Sequence, residues 1–303
     1  VTKVAVFYHK DDLDGLCSGA IARLAYEGMN KQVLMFPVSY GDSIDFAELR
    51  GVEEIAILDF SFPRLTMESL LSVAPVTWID HHKSALLKLS DLPFENLVVA
   101  NNRAACELAF SFYFRETVPW FVTALGMYDT WRFKEASKEE IMILQFGARF
   151  YATDPDENIH WWEKAIRAST MTTLDQIKRA GEILYKHAIQ GAEIKAKRST
   201  LGTMGPFRVA LVNDYDSLIA EVFQSANKEL FEKASFLVMY RAIGDRWMFS
   251  LRLLKDRSLD LSKIAKDYQG GGHPGAAGFT IPFSTPLGNI FQLETDEVSH
   301  EEE

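Results

Sequence analysis

Short apolar runs recur through the first hundred residues: Val4–Tyr8, Gln32–Val38, Ile55–Leu58, Val76–Ile79 and Leu97–Val99. Helical patterns fill the gaps between them. Gly15–Gly28 carries Leu16, Ala20, Ile21, Leu24 and Ala25 at helical spacing, and Phe46–Arg50, Arg64–Ser72, Ser84–Leu89 and Ala104–Phe114 are further helix candidates. Strands that alternate with helices close up as a mostly parallel sheet covered on both faces, so the chain reads as α/β. In such a sheet, ligands gather at the carboxyl ends of the strands.

Beyond Val118 the pattern changes. The stretch to about Arg198 is long, helical and without clear strands, and Ser137 with Glu140 makes a capping-box pattern. Thr173–Arg198 reads as a helix that either connects two domains or packs on one of them. A second, smaller unit follows. Arg208–Val212 reads as a strand, Leu218–Phe231 as a helix and Phe236–Arg241 as a strand. Gly244-Asp245 turns the chain into Trp247–Leu253, which completes a hairpin. Leu261–Tyr268 reads as a helix, Gly270–Gly272 as a loop and Phe279–Ile281 as a last strand. The boundary is set near residue 200.

With 303 residues, 48% of them apolar and 24% charged, the chain has material for a large core, and its composition excludes disorder, collagen and a small disulfide scaffold. The formal net charge is -10, a poor basis for coating duplex nucleic acid by charge alone. Six of those charges (Glu294, Asp296, Glu297, Glu301, Glu302 and Glu303) crowd the tail, and removing them leaves -4. The two cysteines, Cys17 and Cys106, frame no motif and fit a reducing compartment as buried apolar residues. No apolar run is long enough to span a membrane, and the start reads as a first strand rather than a signal peptide. The expected setting is cytoplasmic.

Polar residues collect at the strand ends. His9, Asp12 and Asp14 lie in the loop after the first strand, where imidazole and carboxylate suit a divalent ion such as Mn²⁺. Asp14 alone equally serves as a helix cap. Asp59 ends the run Ile55–Leu58, and a lone Asp there is as often a cap. Asp80-His81-His82 follows Val76–Ile79. Adjacent histidines diverge, so one can face a metal and the other a substrate while Asp80 orients an imidazole. Asp129, in Gly126–Trp131, reads by itself as a turn residue. Together these groups are about what two divalent ions need, and a two-metal site activates water for phosphoryl transfer. In the second unit, Gly270–Gly278 encloses His273. Its glycines let backbone N–H groups approach an anion, and Arg252 lies on a strand that can reach the same place.

These residues resemble the DHH phosphoesterase superfamily. Asp80-His81-His82 is similar to its name motif, His9…Asp12-x-Asp14-Gly15 to its first, Asp59 to its second and Asp129 to its fourth. Gly270–Gly278 resembles the glycine–histidine motif of the DHHA1 domain. The resemblance implies a DHH-type catalytic domain over residues 1–132, a helical extension and connector over 133–199, a smaller DHHA1-type α/β domain over 200–292 and an acidic tail over 293–303. It implies two divalent metal ions, most often Mn²⁺. His9, Asp12 and Asp59 would hold one; Asp14, Asp59, His81 and Asp129 the other. Asp80 and His82 would be catalytic beside them. His273 would act both in catalysis and, with Arg252, Gly271 and Gly272, in gripping the substrate. Arg103 would add a cation near the metals or stand as a surface arginine. Asp11 has no settled role.

The function this implies is manganese-dependent hydrolysis of short single-stranded oligonucleotides or nucleotide phosphoesters from an end, in a cleft between two domains. Alternatives are a cyclic-(di)nucleotide phosphodiesterase, a 3′-phosphoadenosine 5′-phosphate phosphatase or an exopolyphosphatase. A nucleotide-sensing module without turnover is the alternative of another class. A base-stacking aromatic near Arg252 would favour nucleotides, and a lysine-lined groove polyphosphate. No membrane partner is expected, and a homodimer is left open.

Overall fold

The computed structural model describes residues 1–100, 102–167, 171–255 and 258–294. The acidic tail from residue 295 lies outside them. The chain forms two compact units, Val1–Tyr185 and Lys186 onward.

The first unit opens with β1 (Lys3–His9), α1 (Leu13–Gly28), β2 (Gln32–Val38), β3 (Glu54–Leu58), α2 (Arg64–Val73), β4 (Val76–Asp80), α3 (Lys83–Leu89) and β5 (Asn96–Val99). The helices α4 (Ala105–Phe114), α5 (Trp120–Asp129), α6 (Lys138–Tyr151), α7 (Ile159–Arg167) and α8 (Met171–Lys197) follow, and the division between the units falls within α8. The strands form one parallel sheet in the order β2-β1-β3-β4-β5.

Side-chain alternation explains why both faces are covered. Val4, Val6, Tyr8, Ala56, Leu58 and Ile79 pack on one side, against α1, α4 and α5. Ala5, Phe7, Ile55, Ile57, Val76 and Trp78 pack on the other, against α2 and α3. Each such Leu or Ile contributes about 1.5–3 kcal/mol of burial. A strand buried on both faces must read as a continuous apolar run, which is how these appear in the sequence. The order places β2 and β3 on opposite sides of β1. Chain crossovers therefore leave β1 in opposite directions, and a crevice opens at its carboxyl end.

The second unit comprises β6 (Thr200–Met204), β7 (Phe207–Val212), α9 (Ser217–Ala226), α10 (Lys228–Lys233), β8 (Phe236–Ile243), β9 (Arg246–Leu253), α11 (Leu261–Asp267), β10 (Gly271–His273), β11 (Ala276–Pro282) and β12 (Gln292–Leu293). They make a mixed sheet in the order β10-β11-β9-β8-β7-β6-β12. Phe236, Val238, Phe249, Leu251 and Phe279 form its core with Leu261 and Ala265 of α11.

The mostly parallel sheet, its helical cover and the smaller α/β unit agree with the sequence reading; four local readings are corrected. Phe46–Arg50 is a series of tight turns, with Leu49 N–H on Phe46 O at 3.2 Å and Arg50 N–H on Ala47 O at 3.3 Å; five residues are too few to offset helix nucleation. Leu218–Phe231 is two helices. Asn227 breaks it, its side chain accepting from Leu230 N–H and donating to Ala196 O and Ser199 Oγ. The Gly270–Gly272 loop is mostly strand β10, because β11 supplies a ladder partner. Phe279–Ile281 belongs to the longer β11 and is not the last strand, since β12 pairs with β6.

Candidate metal centre and anion seat

The crevice at the end of β1 is lined from three strand ends. His9 closes β1, and its Nδ1 lies 3.3 Å from Val38 O at the end of β2. Donation there leaves the Nε2 lone pair facing Asp12 Oδ2, 3.8 Å away. Asp12 caps α1 by accepting Gly15 N–H at 2.9 Å. Gly15 is required by close approach: a Cβ there would meet His9 O at 2.1 Å. Asp14 is two residues further along, and both its oxygens are held by the first turn of α4. Ala105 N–H donates to Oδ2 at 2.9 Å and Cys106 N–H to Oδ1 at 2.7 Å. A helix N-terminus favours a carboxylate, yet burial still pushes the Asp14 carboxyl above its ordinary value.

Asp59 follows β3 with a left-handed backbone, φ 53°, and is 1% exposed. Two bonds from β4 pin this turn. Asp59 N–H donates to Ile79 O at 2.9 Å, and Trp78 Nε1 donates to Phe60 O at 2.9 Å. Burial and the neighbouring Asp14, Asp12 and Asp129 carboxylates hold the Asp59 carboxyl well above the usual range.

Asp80 ends β4 fully buried. Its Oδ1 accepts from His81 N–H at 2.7 Å, His82 N–H at 3.0 Å and His82 Nδ1 at 2.8 Å. That last bond raises His82 above the ordinary imidazole value. His81 is turned the other way. Its Nε2 lies 3.1 Å from Asp129 Oδ2, 3.3 Å from Asp59 Oδ1 and 3.6 Å from Asp14 Oδ2. Burial lowers its basicity. Asp129, at the end of α5, is pushed up to about 7 by burial and by Asp14 and Asp12.

Three buried atoms here, Asp59 Oδ1, Asp80 Oδ2 and His81 Nε2, have no hydrogen-bond partner. A neutral imidazole and several carboxylates facing one another present lone pairs to lone pairs, an arrangement that is costly unless a cation sits among them. Among the described residues, two groups bring one ligand atom each within 4.8 Å of the others: Asp59, His81 and His82, and Asp14, His81 and Asp129. The donor set of imidazole and carboxylate suits a divalent first-row ion. The residues thus fit a metal. His9 and Asp12 stand beside these groups, not within them. Asp11 is bonded to Ser39 Oγ.

In the second unit, His273 of β10 is in register with Ala276 of β11, and Ala276 with Arg252 of β9. Side chains in register share a face, so His273 and Arg252 flank the small Ala276, two strand spacings or about 10 Å apart. The next row, Gly271, Gly278 and Ser250, is smaller still. Gly272 has φ 139°, and a Cβ there would lie 2.5 Å from Ala277 Cα, so no other residue allows the hairpin to close this tightly. Arg252 is part-buried, which lowers its basicity against a favourable effect of Tyr215. Arg241 lies 5.0 Å over the Tyr215 ring.

Sequence reading missed Glu107 and Arg132. Glu107 is buried on α4, accepts from Ala104 N–H at 3.0 Å and pairs with Arg132, three residues past Asp129. It ties the α4 turn holding Asp14 to the chain carrying Asp129. The only sequence signal was a Glu three residues after the start of a helix. Arg103 lies along α4, donating to Glu107 O and Ser111 Oγ. Trp162 is core, its Nε1 bonded to Thr153 O.

Residues 207–293 match the family described as the DHHA1 domain. The second unit therefore carries a DHHA1 domain. Over 93% of this chain, the fold is similar to that of PggH, a pGpG-specific phosphodiesterase from Vibrio cholerae, covering 94% of it at 13% identity and a TM-score of 0.52. An exopolyphosphatase-related protein from Bacteroides fragilis aligns over 95% of the chain and 88% of its own, at 13% identity and a TM-score of 0.48. In sequence, the chain is 24% identical over 253 residues to the uncharacterized protein R106 of Acanthamoeba polyphaga mimivirus. The match takes in 79% of this chain and 56% of R106, so this chain spans a little over half the length of that relative.

Proposed function

We propose that this chain is a metal-dependent phosphodiesterase that hydrolyses short oligonucleotides or nucleotide phosphoesters from an end. The observation that carries this is the pair of unpartnered buried atoms, Asp59 Oδ1 and His81 Nε2, at the meeting of two carboxylate–imidazole groups. His9, Asp12 and Asp59 would hold one divalent ion, and Asp14, Asp59, His81 and Asp129 a second, manganese being the best fit to the mixed donors. Bound there, two such ions would supply an activated water and offset charge on the phosphoryl oxygens.

The chain's own residues do the rest. Asp80 holds His82 by Nδ1, so Nε2 is the nitrogen free to meet substrate. The same bond keeps a proton on His82 toward neutral pH, as an acid for the leaving oxygen requires. Arg252 and His273, on either side of Ala276, grip the terminal phosphate, and the Gly271 and Gly272 backbone allows its close approach. Tyr215, which carries Arg241 over its ring in the same unit, is an aromatic where a base can stack, which favours nucleotides over polyphosphate. The fold shared with a pGpG-specific phosphodiesterase supports the same class of substrate. Two unpaired buried thiols suit a reducing cytoplasm.

The test uses the full chain with Mn²⁺ and end-labelled di- to decanucleotides, cyclic nucleotides, 3′-phosphoadenosine 5′-phosphate and polyphosphate. Dinucleotides should be cut fastest, and Asp59→Asn should cut none. Equal rates in wild type and Asp59→Asn would overturn the assignment, and a preference for polyphosphate would overturn the substrate class.

A further inference from the structure

The first unit contains a cavity of about 1000 Å³ whose lining includes His82. Its lining includes four aromatic side chains, Tyr40, Phe46, Phe60 and Phe62, among polar ones such as Asp42, Ser61 and Thr66, with Lys88 as the cation that has no ion pair among the described residues. Phe60 and Phe62 are buried and form its floor, their rings 4.8 Å apart edge to face. Tyr40 and Phe46 stand at its rim, 63% and 40% exposed. Large aromatic rings left open beside a polar site are costly to hydrate and call for a flat apolar occupant. The Tyr40 ring lies 4.7 Å from Phe60 and 5.6 Å from His9, so it joins the cavity to the metal ligands without a break.

We propose that this cavity seats the nucleobase next to the scissile phosphate. The inference rests on the phosphodiesterase reading above and sharpens its substrate to one with a base on this side of the phosphate. Three observations carry it. The cavity and the catalytic groups share His82, so whatever is bonded to a phosphate near His82 has this cavity within reach. Tyr40 and Phe46 offer exposed aromatic surface at its rim, and such rings stack any of the bases and discriminate weakly among them. And the cavity is poor in free cations, since Arg64 is already bonded to Glu68 and to both oxygens of Asp91. A phosphate chain would find little to hold it here.

The probe is 2-aminopurine riboside 5′-monophosphate, whose fluorescence is quenched on stacking and which has no phosphodiester bond to cut. It is titrated with the full chain in Mn²⁺, and tripolyphosphate binding is measured by calorimetry as the base-free comparison. Phe46 is a rim residue on an exposed turn, so Phe46→Ala and Phe46→Leu leave the core intact. Both should weaken binding of the probe at least about fivefold and leave tripolyphosphate binding unchanged. Absence of quenching in wild type, equal quenching in the variants, or an equal loss of tripolyphosphate binding would overturn the proposal. Quenching by a wild type that leaves dinucleotides intact would overturn the hydrolase reading and leave the base seat standing. Cleavage of dinucleotides without quenching would overturn the base seat alone.

Discussion

His82 Nδ1 lies 2.8 Å from Asp80 Oδ1, and the same oxygen accepts the backbone N–H groups of His81 and His82. One buried carboxylate thereby fixes both the path of the chain and the tautomer of a ring. Asp80→Asn keeps the size and removes the charge that holds the proton on His82. Turnover should fall about 10–100-fold. The acidic-side proton that supports turnover should be lost at lower pH than in wild type, and a pH profile of kcat reads both effects.

Asp59 allows charge and backbone to be separated. Its φ of 53° is tolerated by Asn and strained for Ala. Asp59→Asn should raise the melting temperature of the metal-free chain, because it removes a carboxyl that burial and like charges keep from ionising while the unfolded chain ionises it freely. It should abolish the further rise on adding Mn²⁺. Asp59→Ala should be less stable than Asp59→Asn by about 1–2 kcal/mol. Equal melting temperatures with and without Mn²⁺ in wild type would contradict the metal assignment.

Asp129 gives a pH dependence with a definite sign. Its carboxyl is raised to about 7, so the metal-free native state holds a proton that the unfolded chain has released from about pH 4 upward. Stability of the metal-free chain should therefore fall between about pH 4 and pH 7. Mn²⁺ competes with that proton, and its affinity should rise over the same range. Thermal melts and calorimetry at pH 5, 6, 7 and 8 test both slopes, and Asp129→Asn should flatten them.

Gly272→Ala tests the anion seat. The new Cβ would meet Ala277 Cα at 2.5 Å in a backbone that disfavours side chains, so β10 must pull away from β11. KM for a dinucleotide should rise about tenfold or more, the cost of about 1–3 kcal/mol of strain. Cleavage of a small aryl phosphodiester that reaches only the metal ligands should be unchanged.

What the sequence disclosed follows from how each feature is encoded. β1, β3 and β4 are buried on both faces, so they stand out as apolar runs, and Asp59 and Asp80-His81-His82 stand out as the polar residues that end them. Asp129 reads by itself as a turn residue and joins the candidate ligands only together with the other groups and the family resemblance, because it ends a helix and reaches His81 through the packing of α5. Glu107 and Arg132 were hidden for the same reason, being 25 residues apart. β10 and β12 are three and two residues long, too short for any alternation to register. The cavity beside His82 was illegible because its aromatics come from separate loops, where a Phe has no period to betray its neighbours.

The grip of α4 on Asp14 makes helix and metal site a single mechanical object. The amides of Ala105 and Cys106 are spent on a carboxylate of another element instead of being left to solvent. Drawing the ion away would restore repulsion between Asp14 and Asp59 and put tension on the two bonds that start the helix. Hydrogen exchange at those two amides would then register the loss of an ion that neither amide touches, turning the first turn of α4 into a built-in gauge of occupancy.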